Sequence, residues 1–147
     1  MLRITVFAVG KLKEKFWKDA CNEYLKRLGG YAKVEVRELP DSTREKEGAL
    51  LADALPERCP ILLLDIKGKE LSSEALSTRI DELSLSGDSH LCFVIGGSDG
   101  VTDEIKKMAT QRISFGPITL PHNLARVVLL EQLYRAMKIS RNEPYHK

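Results

Sequence analysis

The sequence predicts an α/β fold, a mostly parallel sheet with helices on both faces. Three observations lead there. Apolar runs of strand length alternate with segments of helical period along the whole chain. Two runs, CPILLLDI (59–66) and HLCFVIGG (90–97), are continuously apolar, as strands covered on both faces are. The connections between strands are long enough for a crossover helix, which parallel neighbours require.

The first element is a strand at 2–9, LRITVFAV. An amphipathic helix follows at 16–28, with Phe16, Ala20, Tyr24 and Leu28 on one face, and Gly29-Gly30 ends it. KVEVREL (33–39) alternates like a half-exposed strand and stops at Pro40-Asp41. Ser42 or Thr43 caps a helix running to about Leu55. After the buried strand at 59–66, Ser72 or Ser73 caps a helix that extends through Leu83. The strand at 90–97 leads to a helix from about Thr102 to Ala109, then a short strand at 112–116. A long helix, 122–140, comes last; it is apolar at four consecutive positions, Val127 to Leu130. Such a helix is expected to be buried, within the domain or against a second copy of the chain. There is no internal repeat or linker, so residues 1–147 read as a single domain.

The chain is 43% apolar and 30% charged, a globular rather than disordered composition. No apolar run reaches the length of a membrane span, and the apolar start precedes its lysines, the reverse of a secretory signal. Cys21, Cys59 and Cys92 form no CxxC pair, and His90, His122 and His146 are scattered. No zinc spacing appears, Cys92 reads as core, and reduced thiols in the cytoplasm are expected. Net charge is +2, unevenly spread: residues 10–33 carry +4 and residues 121–147 carry +3, which leaves −5 for the remainder. Charge alone suits a solvated helix face as well as a phosphate backbone.

In open α/β sheets ligands bind where strands give way to loops at their C-terminal ends. Three glycine-bearing loops fall there: LLLDIKGK with Leu64, Asp65 and Gly68; FVIGGSDG with Gly96 to Gly100; and SFGPITLPHN with Gly116, Pro117 and Pro121. Glycine lets the backbone approach a ligand closely. The second loop is not G-x-G-x-x-G, Gly10-Lys11 lacks a P-loop's upstream glycine, and no serine nucleophile elbow occurs. An adenosyl ligand without a polyphosphate stays open, with Leu64, Ile118 and Leu120 as its walls or simply as core.

VIGGSDG, then SFGPITLPHNLARVVLLEQLYRA, then the closing RNEPYHK resemble the RlmH-type branch of the SPOUT (α/β-knot) methyltransferases. ITVFAVGKLKEKFW and LLLDIKGK fit the same family, so the likeness covers essentially the whole chain. It is most specific in L-P-H-x-x-x-R-V-x-x-x-E-Q-x-Y-R-A followed by a terminal P-Y-H-K; the segment after Asp41 is shorter than in some members. The resemblance implies a C-terminal trefoil knot and a homodimer. It implies S-adenosyl-L-methionine as cofactor and methylation of N3 of a pseudouridine in large-subunit (23S) rRNA, with the assembled ribosome as substrate. No metal is implied.

Carried over residue by residue, the cofactor loops hold Leu64, then Gly96 and Gly97, then Phe115, Gly116, Pro117, Ile118, Thr119 and Leu120; positions 115–118 match in place rather than identity. A side chain at Gly97 is expected to fill the space where backbone meets the adenosyl group. Attack by N3 requires loss of its proton, so a base or an electrostatic aid is expected. His146 is the candidate base, Arg135 or Arg141 stabilises the developing charge, and Tyr145 stacks on the base. Lys11, Lys13, Lys15 and Arg141 are the expected contacts to RNA. Arg135 also suits a plain pair with Glu131 four residues earlier, and His122 is expected only to cap its helix. Two other readings remain: a non-catalytic ribosome- or RNA-binding module of the same fold, and a small nucleotide-binding α/β protein.

Overall fold

A computed structural model describes residues 1–85 and 89–147. Five strands, β1 (Arg3–Val9), β2 (Lys33–Leu39), β3 (Ile61–Glu70), β4 (His90–Ile95) and β5 (Gln111–Ser114), form one sheet in the order β2-β1-β4-β3-β5. Every pairing is parallel. Five helices connect and follow them: α1 (Lys15–Leu28), α2 (Arg44–Ala54), α3 (Ser73–Leu85), α4 (Asp103–Met108) and α5 (His122–Ser140).

Both faces of the sheet are covered, and strand alternation decides which side chain goes where. Ile4, Val6, Ala8, Leu91 and Phe93 pack with Cys21 and Leu28 of α1, Leu76 and Ile80 of α3, and Leu129, Leu130 and Leu133 of α5. Phe7, Val9, Cys92 and Val94 face the other way, onto Leu51 of α2 and Ile105 of α4. Each fully buried Leu, Ile or Phe contributes about 1.5–3 kcal/mol relative to exposure. The central strands β1 and β4 therefore anchor the sheet, and β2, with alternating burial, lies at its edge.

Helix starts follow local chemistry. Thr43 Oγ1 accepts from the Lys46 amide at 3.2 Å, Ser72 Oγ from the Ala75 amide at 3.0 Å, and Thr102 Oγ1 from the Ile105 amide at 3.4 Å. The cap of α2 is thus Thr43 rather than Ser42.

Four expectations change. In α1 the inward row is Trp17, Cys21, Tyr24, Leu25 and Leu28, while Phe16 is 62% exposed. The row begins one residue later than the sequence suggested, because Trp17 reaches the core and Phe16 stacks outside it, 4.9 Å from the indole. Strand β3 continues to Glu70 through a register shift between Leu64 and Lys69. In α5, Leu129 and Leu130 are buried but Val127 and Val128 are only half-buried, so the helix is not enclosed on all sides. Finally, spacing along the chain hid a cluster that sheet pairing creates: ligand-type atoms of Cys59, His90 and Cys92 lie within 4.8 Å of one another.

Candidate active site

The three glycine-bearing loops do converge. With the start of α5 they surround a cavity of about 390 Å³, within the size range of small-molecule sites. Leu64, Gly96, Gly97, Phe115, Gly116, Ile118, Thr119 and Leu120 all line it. Pro117 belongs to the same loop but does not reach the lining. Sequence reasoning did not single out Arg44, Lys106 or Ser114 and gave His122 only a capping role, yet all four border the space. The first two come from helices α2 and α4, outside the three glycine-bearing loops.

Apolar walls and open backbone suit an adenosyl group. Gly116 has φ +111°, a conformation that favours glycine and turns the third loop over the cavity. Gly97 lines the cavity and has a second part as well. A Cβ there would lie 2.7 Å from Glu47 Oε1, so the missing side chain also makes room for α2. Glu47 is buried and accepts from the Ser42 amide at 2.7 Å, which leaves it little freedom to yield.

His122 does not cap its helix. Pro121 occupies the N-cap position, and His122 Nδ1 is buried without a hydrogen-bond partner. Its ring rests against Gly10, where a Cβ would sit 3.3 Å from His122 Cε1. One turn on, the buried Arg126 donates to Glu38 Oε2 at 2.5 Å and to the Gly10 carbonyl at 3.0 Å. Burial alone would raise the Glu38 carboxyl, but bonds from Arg126 and the Leu12 amide outweigh it and hold it below its ordinary value. The loop after β1 is thereby tied to the helix that borders the cavity.

The C-terminal tail is docked. Tyr145 Oη donates to Glu131 Oε2 at 2.7 Å, and Arg135 Nη2 donates to the same oxygen at 2.8 Å. The Arg135 guanidinium lies 4.6 Å from the Tyr145 ring centre, and Tyr134 meets that ring edge-on at 4.8 Å. Arg135 Nη1 is 3.1 Å from His146 Nδ1. Guanidinium only donates, so Nδ1 accepts, and Nε2 faces Glu74 of α3. Thus Arg135 makes the plain pair with Glu131 and also holds Tyr145 and His146. The stacking partner of Tyr145 in the single chain is Arg135. Burial and the bond to Glu131 push the phenol up to about 12. Glu131 is held below the ordinary carboxylate range: burial opposes this, but the Tyr145 and Arg135 bonds prevail.

The expected RNA contacts are not gathered in one place. Lys11, Lys13 and Lys15 are exposed before and at the start of α1, with Lys15 bonded to Asp19 at 2.7 Å. Arg141 lies at the far end of α5, over Tyr31 at 4.7 Å. The loop after β1 meets α5 at His122 and Arg126, so α5 separates the two basic groups by roughly 25 Å at 1.5 Å per residue.

The family described as "Predicted SPOUT methyltransferase" matches residues 2–146 of the chain. The chain belongs to the SPOUT methyltransferase family. Proteins named "Ribosomal RNA large subunit methyltransferase H" from Bacillus thuringiensis (strain Al Hakam) and Bacillus cereus (strain B4264) are each 45% identical, over 99% of this chain and 100% of theirs. Among solved structures, a probable methylase family protein from Haemophilus influenzae Rd KW20 shares the fold, with a TM-score of 0.58 at 14% identity over 99% of this chain and 70% of that one. As a SPOUT methyltransferase the chain is an enzyme of methyl transfer.

Proposed function

We propose that the chain methylates N3 of a pseudouridine in large-subunit rRNA within the assembled ribosome, in the cytoplasm, using S-adenosyl-L-methionine. The relatives' name supports the class of substrate. One observation carries the reading: the cavity and the Glu131–Arg135–Tyr145–His146 network are both built on α5. The knot expected from the resemblance, which brings the third loop to this position, is part of the same proposal.

The backbone at Gly96, Gly97 and Gly116 and the side chains of Leu64, Ile118 and Leu120 fit the adenosyl group. When bound, the cofactor supplies an electrophilic methyl on a cationic sulfur. The chain's own task is to place N3 in line and remove its proton. His146 takes that proton. The lone pair that receives it is on Nδ1, so Arg135 is the partner that gives way there, while Glu74 at Nε2 steadies the imidazolium that forms. Arg135 faces the charge that spreads onto the ring oxygens. Tyr145, whose phenol remains protonated, orients Glu131 and Arg135 instead of acting as base.

The functional unit in this proposal is a homodimer. Half-buried Val127 on α5 is apolar surface that a second copy covers. A monomer in sedimentation at micromolar concentration counts against it. The test of function is methyl transfer from labelled cofactor to ribosomes, subunits and naked rRNA in parallel, beside calorimetric titration with the cofactor. Saturable heat and label in ribosomal RNA are expected. No heat and no label would leave a non-catalytic module of the same fold.

A further inference from the structure

A second cavity, of about 290 Å³, lies between α3, α5 and the end of β5. It shares Ile113, Ser114 and Phe115 with the cofactor cavity, so one strand end walls both. Order along α5 is informative. His122 and Ala125 border the larger cavity, Val128 and Gln132 the smaller one, and Glu131 and Arg135 hold the tail. Glu74, which meets His146, directly follows Ser73 in the lining of the small cavity. The small cavity therefore lies where an acceptor must be, between the methyl source and the proposed base.

Its chemistry is specific. The volume corresponds to roughly ten waters at about 30 Å³ each, ample room for one pyrimidine ring. Leu76 and Val128 supply apolar walls, and Phe115, 36% exposed, stands at the lip shared with the larger cavity. The polar group is the Gln132 amide. Its oxygen accepts from Ser73 Oγ at 2.5 Å, and its nitrogen donates to Glu131 Oε1 at 2.7 Å. With one hydrogen of the nitrogen given to Glu131, the amide has a remaining N–H to offer. A carbonyl oxygen of a uracil-type ring accepts from it, whereas the exocyclic amine of cytosine meets donor with donor. Through Glu131 the same amide is linked to Arg135 and Tyr145.

We propose that the smaller cavity receives the target base, a uracil-type ring turned out of its RNA strand, with Gln132 reading a ring carbonyl and Phe115 covering a ring face. This rests on the methyltransferase reading above. Enzymes that modify a base within structured RNA must bring it out to a pocket. The phosphate contacts that dominate affinity then lie elsewhere.

The test uses Val128→Phe, which fills the cavity, and Gln132→Leu, which removes the amide at similar size. Each is assayed with the wild type for cofactor binding by calorimetry and for steady-state methylation of ribosomes. The expected result is kcat lowered at least about thirtyfold, with cofactor affinity and the KM for ribosomes within about threefold of wild type. A merely structural role would shift cofactor affinity and KM as well. If Val128→Phe fails to fold, Gln132→Leu decides. Turnover within about twofold of wild type, in a variant that binds cofactor normally, overturns the base pocket while leaving the enzymatic reading intact. A wild type that labels no ribosomal RNA overturns both.

Discussion

Glu131 receives three donors: Tyr145 Oη and Arg135 Nη2 on one oxygen, and Gln132 Nε2 on the other. Glu131 is therefore the carboxylate that Tyr145 and Arg135 share, while Glu74 meets His146. Its folded-state pKa is depressed, so its contribution is complete above the ordinary glutamate value and is lost as pH falls through the lower folded value. The stability difference between wild type and Glu131→Gln, measured by urea denaturation, should be flat from pH 8 to 6. It should shrink only below about pH 4.3. A difference that changes between pH 8 and 6 would mean another group controls docking. Deleting Tyr145 to Lys147 should leave cofactor affinity nearly unchanged and lower methyl transfer to ribosomes at least about a hundredfold, the scale of a lost acid–base or orienting group. Near-normal turnover would make the tail a structural strap. The sequence suggested Arg135, Tyr145 and His146 through motif and chemistry, and the Glu131–Arg135 pair through spacing. Glu74 was not legible, because it lies 72 residues from His146 and only the packing of α3 beside α5 brings them together.

Strands and helices were legible because burial on both sheet faces leaves an unbroken apolar run, and caps and glycines punctuate the rest. What the pattern could not supply is direction. The continuation of β3 past Ile66 is polar and resembles loop, yet it pairs with β5 after a shift in register. Gly68 shows why the shift is possible: a Cβ there would lie 2.6 Å from the Arg112 carbonyl carbon and 2.7 Å from the Ile113 nitrogen. Backbone cannot yield as a flexible side chain does. Gly68→Ala should cost about 1–3 kcal/mol in chemical denaturation, as overpacking does. An unchanged midpoint would show that the β3–β5 contact is loose. Gly97 teaches the same lesson from the other side. Its place in a glycine loop was readable, but its Cβ direction, toward Glu47, was not. Gly97→Val should lower both the denaturation midpoint and cofactor affinity. Loss of affinity with full stability would leave only the ligand-facing role.

Across the whole molecule the cofactor cavity, the smaller cavity and the docked tail follow one another along α5, with exposed lysines near one end of that helix and Arg141 at the other. Two separated basic groups suit an extended RNA surface better than a single phosphate site. Ribosome affinity should fall steeply with salt, and Lys11→Ala or Lys13→Ala should each reduce the log–log slope by about one contact's worth. A flat dependence would leave these charges solvated. The most direct test of the account joins substrate, position and context. Ribosomes and deproteinised rRNA are treated with the enzyme and cofactor, and the large-subunit RNA is digested to nucleosides for mass spectrometry. The account predicts pseudouridine methylated at N3, formed in the assembled ribosome and scarcely in naked RNA. Methyl found on a different base or atom, or no methyl at all from an enzyme that binds cofactor, would contradict it.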